Sequence, residues 1–153
     1  MAKQELYLIL DNIRSALNVG AIFRTADAAG VDKILLCGYT PTPENDKVKK
    51  TALGSEKTVT WEHHPQTWRL VKRLRKGGIY IVALEQDKRS TDYRKLKPKF
   101  PMALIVGNEV KGLSKNILEH VDKIIDIPMY GQKESLNVAV ATGIAVYKIR
   151  ETF

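Results

Sequence analysis

Three stretches of the chain carry polar side chains of the kind that do chemistry, each set among glycines. The first holds Asn18, Gly20, Arg24 and Thr25. The second holds Gly107, Asn108, Glu109, Gly112 and Ser114, and the third Gly131, Ser135 and Asn137. Asparagine and serine offer neutral hydrogen bonds, glutamate a carboxylate, and arginine a planar cation that stays protonated. Such loops suit a bound molecule contacted by backbone groups and by Ser135 and Asn137. Ser135 has no nearby histidine and no G-x-S-x-G around it, which argues against a serine hydrolase. Neither G-x-G-x-x-G nor G-x-x-x-x-G-K-[ST] occurs, which argues against dinucleotide and ATP sites. His63 and His64 are adjacent and face opposite sides of any strand, and no Cys/His cluster has metal spacing.

The elements that must position these loops are strands alternating with helices. Apolar runs predict strands at Leu6 to Leu10, Val31 to Cys37, Thr58 to Trp61, Ile79 to Leu84, Met102 to Val106 and Val121 to Ile127. Ala21, Ile22, Ala26 and Ala29 form a helical stripe that Gly30 ends, with Arg24 and Thr25 expected near the helix start. A short helix is expected within Glu44 to Leu53. Pro65 is expected in the first turn of a helix through Lys76, with Trp68, Val71 and Leu74 inward. A charged loop should run from Glu85 to Lys99. Ser114 should cap a helix over Lys115 to His120, and Ser135 one from Leu136 to Ile149. That last helix is apolar around most of its circumference and needs more than one packing surface. The alternation predicts an α/β fold, a mostly parallel sheet flanked by helices, as one domain over residues 1–153. In such sheets ligands bind beyond the carboxyl ends of the strands, where the polar loops fall.

Composition narrows the partners. The 153 residues carry 25 Lys and Arg against 17 Asp and Glu, a net charge of +8 that favours a polyanion such as RNA. No run of eighteen apolar residues predicts a membrane span, and the first residues hold no signal-peptide core. The single cysteine, Cys37, reads as a small buried hydrophobe, and a cytoplasmic setting follows by default.

Taken in order, Asn18-Val-Gly-Ala-Ile-Phe-Arg24-Thr25, Ile105-Val-Gly107-Asn-Glu109-Val-Lys-Gly112-Leu-Ser114 and Ile127-Pro-Met-Tyr-Gly131 through Ser135-Leu-Asn137-Val-Ala-Val resemble the three motifs of the SpoU/TrmH family. These are S-adenosylmethionine-dependent RNA ribose 2′-O-methyltransferases of the SPOUT superfamily. The resemblance covers nearly the whole chain. It implies a C-terminal deep trefoil knot and a homodimer with the active site near the subunit interface. It implies Arg24, Asn18, Glu109, Ser135 and Asn137 as catalytic residues. For S-adenosyl-L-methionine it implies Leu84, Glu85, Gly107, Asn108, Glu109, Ile127, Met129, Ser135 and Leu136, with no metal. A β-branched residue at Gly107 is expected to block the donor with little loss of fold. With no RNA-binding extension expected before Leu6, a bare core would recognise RNA with its own surface, which suits compact tRNA, with rRNA as the alternative. Two competing readings are a non-catalytic RNA-binding module and a base methyltransferase of the same superfamily.

Overall fold

Period-two alternation sorts the side chains of the central strands onto two faces in the computed structural model, which describes residues 4–151. In β1 (Leu6–Asp11) the side chains of Leu6, Leu8 and Leu10 enter one core, and Ile9 enters the other. In β6 (Met102–Val106) Met102, Leu104 and Val106 join the first core, and Ala103 and Ile105 the second. Strands apolar on both faces must be covered on both. Helices α1 (Ala16–Ala29), α2 (Asp46–Ala52) and α5 (Val138–Arg150) cover the first face. Helices α3 (Thr67–Lys76) and α4 (Lys115–Leu118) cover the second. The other strands are β2 (Lys33–Cys37), β3 (Thr60–His64), β4 (Tyr80–Leu84), β5 (Thr91–Asp92) and β7 (Lys123–Asp126). All pairings are parallel, in the order β3-β2-β1-β6-β4-β7-β5. β7 therefore lies between β4 and β5, two strands that precede it in the chain.

The α/β class and parallel sheet are as the alternation predicts, and several boundaries move. Helix α1 begins at Ala16, capped by Ser15, whose Oγ accepts from the Asn18 amide at 3.1 Å. Arg24 consequently lies mid-helix rather than near the start. Gly30 ends α1 in the left-handed region at φ 70°. α5 is capped by Asn137, not Ser135, through bonds from the Ala139 and Val140 amides. α3 begins at Thr67 after Gln66, so Pro65 lies outside it. The Thr67 hydroxyl donates to the buried Asp11 carboxylate at 2.5 Å, which fixes the helix rotation. Thr67, Leu70 and Val71 then face inward, Leu74 packs partly buried against the same core as expected, and Trp68 faces outward, 38% exposed. The third strand shifts to Thr60–His64, the strand expected at Val121 to Ile127 shortens to Lys123–Asp126, and α4 ends at Leu118. The segment expected as a charged loop contains β5 and a single 3-10 turn, Tyr93–Lys95. Two residues paired only to β7 leave no periodicity to detect.

α5 packs against α1 and β6, in keeping with the expected need for more than one surface; it buries Thr142, Ala145, Val146 and Ile149 and leaves Val140 and Tyr147 half exposed. Among the described residues no helix is long and apolar enough to cross a membrane. Met1 to Lys3, part of the stretch without a signal-peptide core, lie outside the described residues, as do Thr152 and Phe153.

Gly20 sets the approach of α1 to α2. A Cβ there would meet Thr51 Oγ1 at 2.0 Å and the Val48 carbonyl oxygen at 2.2 Å. Gly20→Ala gains helix propensity of about 1 kcal/mol, yet overpacking costs roughly 1–3 kcal/mol. Urea unfolding is expected to show a net loss of stability, and a stabilised variant would mean that α2 moves away freely.

Candidate active site

The carboxyl ends of β4, β6 and β7 open into one cavity of about 580 Å³, whose wall is completed by the start of α5. Leu84 and Glu85 follow β4, and Gly107, Asn108 and Glu109 follow β6. Ile127, Met129, Ser135 and Leu136 come from the long connection after β7. All nine border the cavity, and so do Asn18 and Asn137. Arg24 does not. Six residues along a helix amount to a rotation of about 120°, so Arg24 faces away from Asn18. It is exposed, without a hydrogen bond or ion pair among the described residues. Positions 17, 21, 24 and 28 share one stripe of α1, and Leu17 on it is 45% exposed.

A chain of hydrogen bonds ties the three motif stretches together. Asn137 Nδ2 donates to Asn18 Oδ1 at 3.1 Å, and Asn18 Nδ2 donates to Glu109 Oε2 at 3.4 Å. The Glu109 oxygens also accept from the Arg14 and Ser15 amides, both at 2.9 Å. The carboxylate thus sits at the start of α1, where N–H groups lack intrahelical partners and the helix dipole favours negative charge. Partial burial pushes its pKa up, and the amides of Arg14, Ser15 and Glu109 itself, with Asn18, outweigh this and bring it below the ordinary 4.5. A carboxylate so held is a weak base. Its evident work is positioning, because it locks the first motif against the second.

Other site residues are also engaged internally. The Asn108 amide group donates to the Asn12 carbonyl and the Tyr39 hydroxyl, both at 2.8 Å, while its oxygen accepts from Val110 and Lys111. The Asn108 carbonyl is engaged as well, accepting from the Gly112 amide at 2.9 Å. Glu85 accepts from the Leu113 amide at 2.7 Å and from Gln86 at 3.1 Å, which staples the second loop to β4. A Cβ on Gly107 would lie 2.8 Å from the Gly112 carbonyl carbon and from Leu113. Gly107→Val would therefore displace that loop, and the expectation of little loss of fold is corrected on this ground. Residues 129–136 donate no backbone hydrogen bond among the described residues, leaving their N–H groups available at the rim. Sequence reasoning missed Gln86, whose side chain reaches the Glu134 carbonyl at 2.7 Å across that rim, and Ala141 on α5. Nothing local marks either position. Tyr130 is 83% exposed beside the cavity, its hydroxyl accepting from Arg94 at 3.0 Å. Cys37 is buried, which pushes its thiol up to about 12, with Thr67 lowering and Asp11 raising it, so it is chemically inert. Among the described residues no three His, Cys, Asp or Glu gather as a metal site requires.

The lowered Glu109 pKa fixes a sign. Its stabilisation of the α1 start is present above the unfolded-state pKa and is lost as pH falls through the lower folded value. The Arg14 and Ser15 amide resonances are expected to titrate together with a midpoint below 4.5, and Glu109→Gln should abolish that titration. A midpoint at or above 4.5 would contradict the arrangement.

Residues 5–147 match the SpoU rRNA Methylase family. A tRNA (guanosine(18)-2'-O)-methyltransferase of Aquifex aeolicus is 37% identical over 147 residues, which make up 95% of this chain and 69% of that protein. The AdoMet-bound rRNA methyltransferase of Sinorhizobium meliloti has a TM-score of 0.93 at 33% identity, over 99% of this chain and 58% of that one. A second structure, concerned with 2-OH methylation of C/U34 on tRNA, has a TM-score of 0.83 at 26% identity, over 95% of this chain and 93% of that one. Other curated relatives are matched over 57% to 59% of their length. With the three motif stretches meeting at one cavity and the likeness running end to end, the chain belongs to the SpoU rRNA Methylase family.

Proposed function

We propose that the protein transfers a methyl group from S-adenosyl-L-methionine to a ribose 2′-hydroxyl of structured RNA, with tRNA preferred over rRNA, in a cytoplasmic setting. The observation that carries this is the joining of Asn18, Glu109 and Asn137 by hydrogen bonds at the mouth of a strand-end cavity. The tRNA preference draws on the Aquifex relative and on the C/U34 structure, which this chain matches over 93% of its length.

The cavity volume lies in the range that holds a cofactor of this size. Leu84, Ile127, Met129 and Leu136 supply apolar walls, and the unpaired N–H groups of residues 129–136 suit a neutral adenine and a ribose. The donor, when bound, supplies a methyl group already activated by its sulfonium. What is left to the protein is alignment and charge. Asn18 and Asn137 hold the mouth in register. Ser135, exposed on the rim, offers a hydroxyl to donor or ribose. S-adenosyl-L-methionine held by these residues would present its methyl group to the ribose oxygen, and the protein's own part would be to align the two and keep water out. Arg24, always protonated, binds an RNA phosphate and stabilises the developing alkoxide.

This assignment of Arg24 requires a second copy of the chain. Arg24 shares its stripe with Leu17, and Leu136 just before α5, with Val140 and Tyr147 on it, is also exposed. We take these residues as the homodimer face, through which Arg24 approaches the partner's cavity. The single domain over residues 1–153 and the trefoil knot belong to the same proposal; β7 lying between the earlier strands β4 and β5 supports a threaded C-terminal part.

Nucleoside analysis of tRNA incubated with protein and donor is expected to reveal one 2′-O-methylated nucleotide. A methylated base would favour the base-methyltransferase reading, and no product the non-catalytic one. Arg24→Ala should leave S-adenosylhomocysteine binding intact and lower single-turnover methylation roughly a hundredfold. Arg24→Lys should rescue little if the planar fork grips phosphate. Tyr147→Asp should yield monomers in analytical ultracentrifugation, and a persistent dimer would move the interface elsewhere.

A further inference from the structure

Trp68 faces outward on a helix that carries Arg69, Lys72, Arg73, Arg75 and Lys76 within ten residues and no acid. Only Arg75 is neutralised, by Asp122 at 2.9 Å; the other four cations have no ion pair among the described residues. Arg69 and Arg73, like Lys72 and Lys76, are four residues apart, where like charges repel along a helix. Arg69 also lies in the first turn, the end at which the helix dipole disfavours a cation. The Arg69 and Lys72 cations sit 5.3 and 5.7 Å from the Trp68 ring centroid, so aromatic face and charge are already gathered in one place. A fold that needed this helix only for its core would require Thr67, Leu70 and Val71 and none of these.

Position matters as much as charge. Thr67 is bonded to Asp11, the last residue of β1, and Leu10 of β1 pairs with Val106, next to Gly107 of the cavity wall. Trp68 therefore stands at the same sheet edge as the cavity, within a few strand spacings, on the order of 10–15 Å. The exposed Lys111 and Lys115 belong to the loop and helix between them, and α3 contacts α4. The face is on the opposite side of the sheet from α1 and α5, so a partner covering those helices leaves it open.

We infer that the outer face of α3 docks single-stranded or looped RNA beside the modified ribose, with Trp68 stacking on a base and Arg69, Lys72, Arg73 and Lys76 meeting phosphates. The inference rests on the RNA methyltransferase reading above and adds the surface on which the RNA lies. Base stacking on aromatic side chains combined with a basic track is how unpaired nucleic acid is held without sequence preference.

The test uses the purified full chain with total tRNA and, separately, total rRNA, binding being followed by anisotropy over a series of KCl concentrations. Trp68→Ala is expected to weaken binding about tenfold, the scale of one lost stack, whereas Trp68→Phe keeps most of it. Arg69→Ala with Arg73→Ala should reduce the slope of log affinity against log salt by roughly 1 to 2. With saturating RNA, turnover in both variants should stay within about twofold of the parent while KM for RNA rises, the mark of lost binding without lost chemistry. S-adenosylhomocysteine affinity should not change. Parental affinity and salt slope in both the Trp68→Ala and the double arginine variant, with methylation intact, would overturn the docking face alone. Failure of the parent protein to bind or methylate either RNA would overturn the methyltransferase reading and this inference with it.

Discussion

Helix α1 starts against a carboxylate that arrives from ninety-odd residues further along the chain, and the site is organised around that contact. The first turn of any helix has N–H groups with no partner inside it. Here Ser15 satisfies one, and Glu109 satisfies the amides of Ser15 and Arg14. Because Glu109 follows β6 within three residues, the strand and the helix become fixed to each other. Asn18 is then held between Glu109 and Asn137, which in turn caps α5. Two helix starts and one strand end thus share a few hydrogen bonds. The interactions that complete the helices are the same ones that shape the cavity mouth, so stability and geometry are coupled there.

That coupling changes the roles of the polar residues. A glutamate beside a reactive centre invites the role of general base, yet amide donors hold Glu109 in its charged form. Asn108 and Glu85 are likewise engaged with backbone groups of neighbouring loops. The polar side chains of the second motif serve chiefly to pin loops, and the backbone groups near the cavity remain for a ligand. Such a division suits a reaction whose electrophile is already activated, for which alignment counts more than proton transfer.

Much of this was legible in the chain. Apolar runs separated by helical patterns predicted a parallel sheet, and parallel order by itself brings the loops after β4, β6 and β7 to one edge. Leu84, Gly107 and the stretch after Pro128 could be gathered on that logic, while Ile127 entered only through the family resemblance. Rotation was not legible. Whether Trp68 faces in or out depends on where α3 starts, and that is set by the bond of Thr67 to Asp11, 56 positions away. The same holds for Arg24, which periodicity put near a helix start and which lies mid-helix on another face. Pairings between distant residues, such as Glu109 with Arg14, have no local pattern at all. β5 escaped notice because two residues cannot display a period.

The placement of β7 bears on how the protein comes into being at the ribosome. Its neighbours β4 and β5 are both synthesised earlier, and the connection that walls the cavity comes directly after it. Until β7 and α5 emerge, β4 and β5 have no strand between them, and α1 lacks the α5 surface against which it packs. A nascent chain at that stage has Asn18 and Glu109 in hand but not Asn137 or the donor-facing loop. The cavity wall is therefore completed only after β7 and α5 have emerged, and a chain released before that point would carry an open sheet, a ready target for proteolysis.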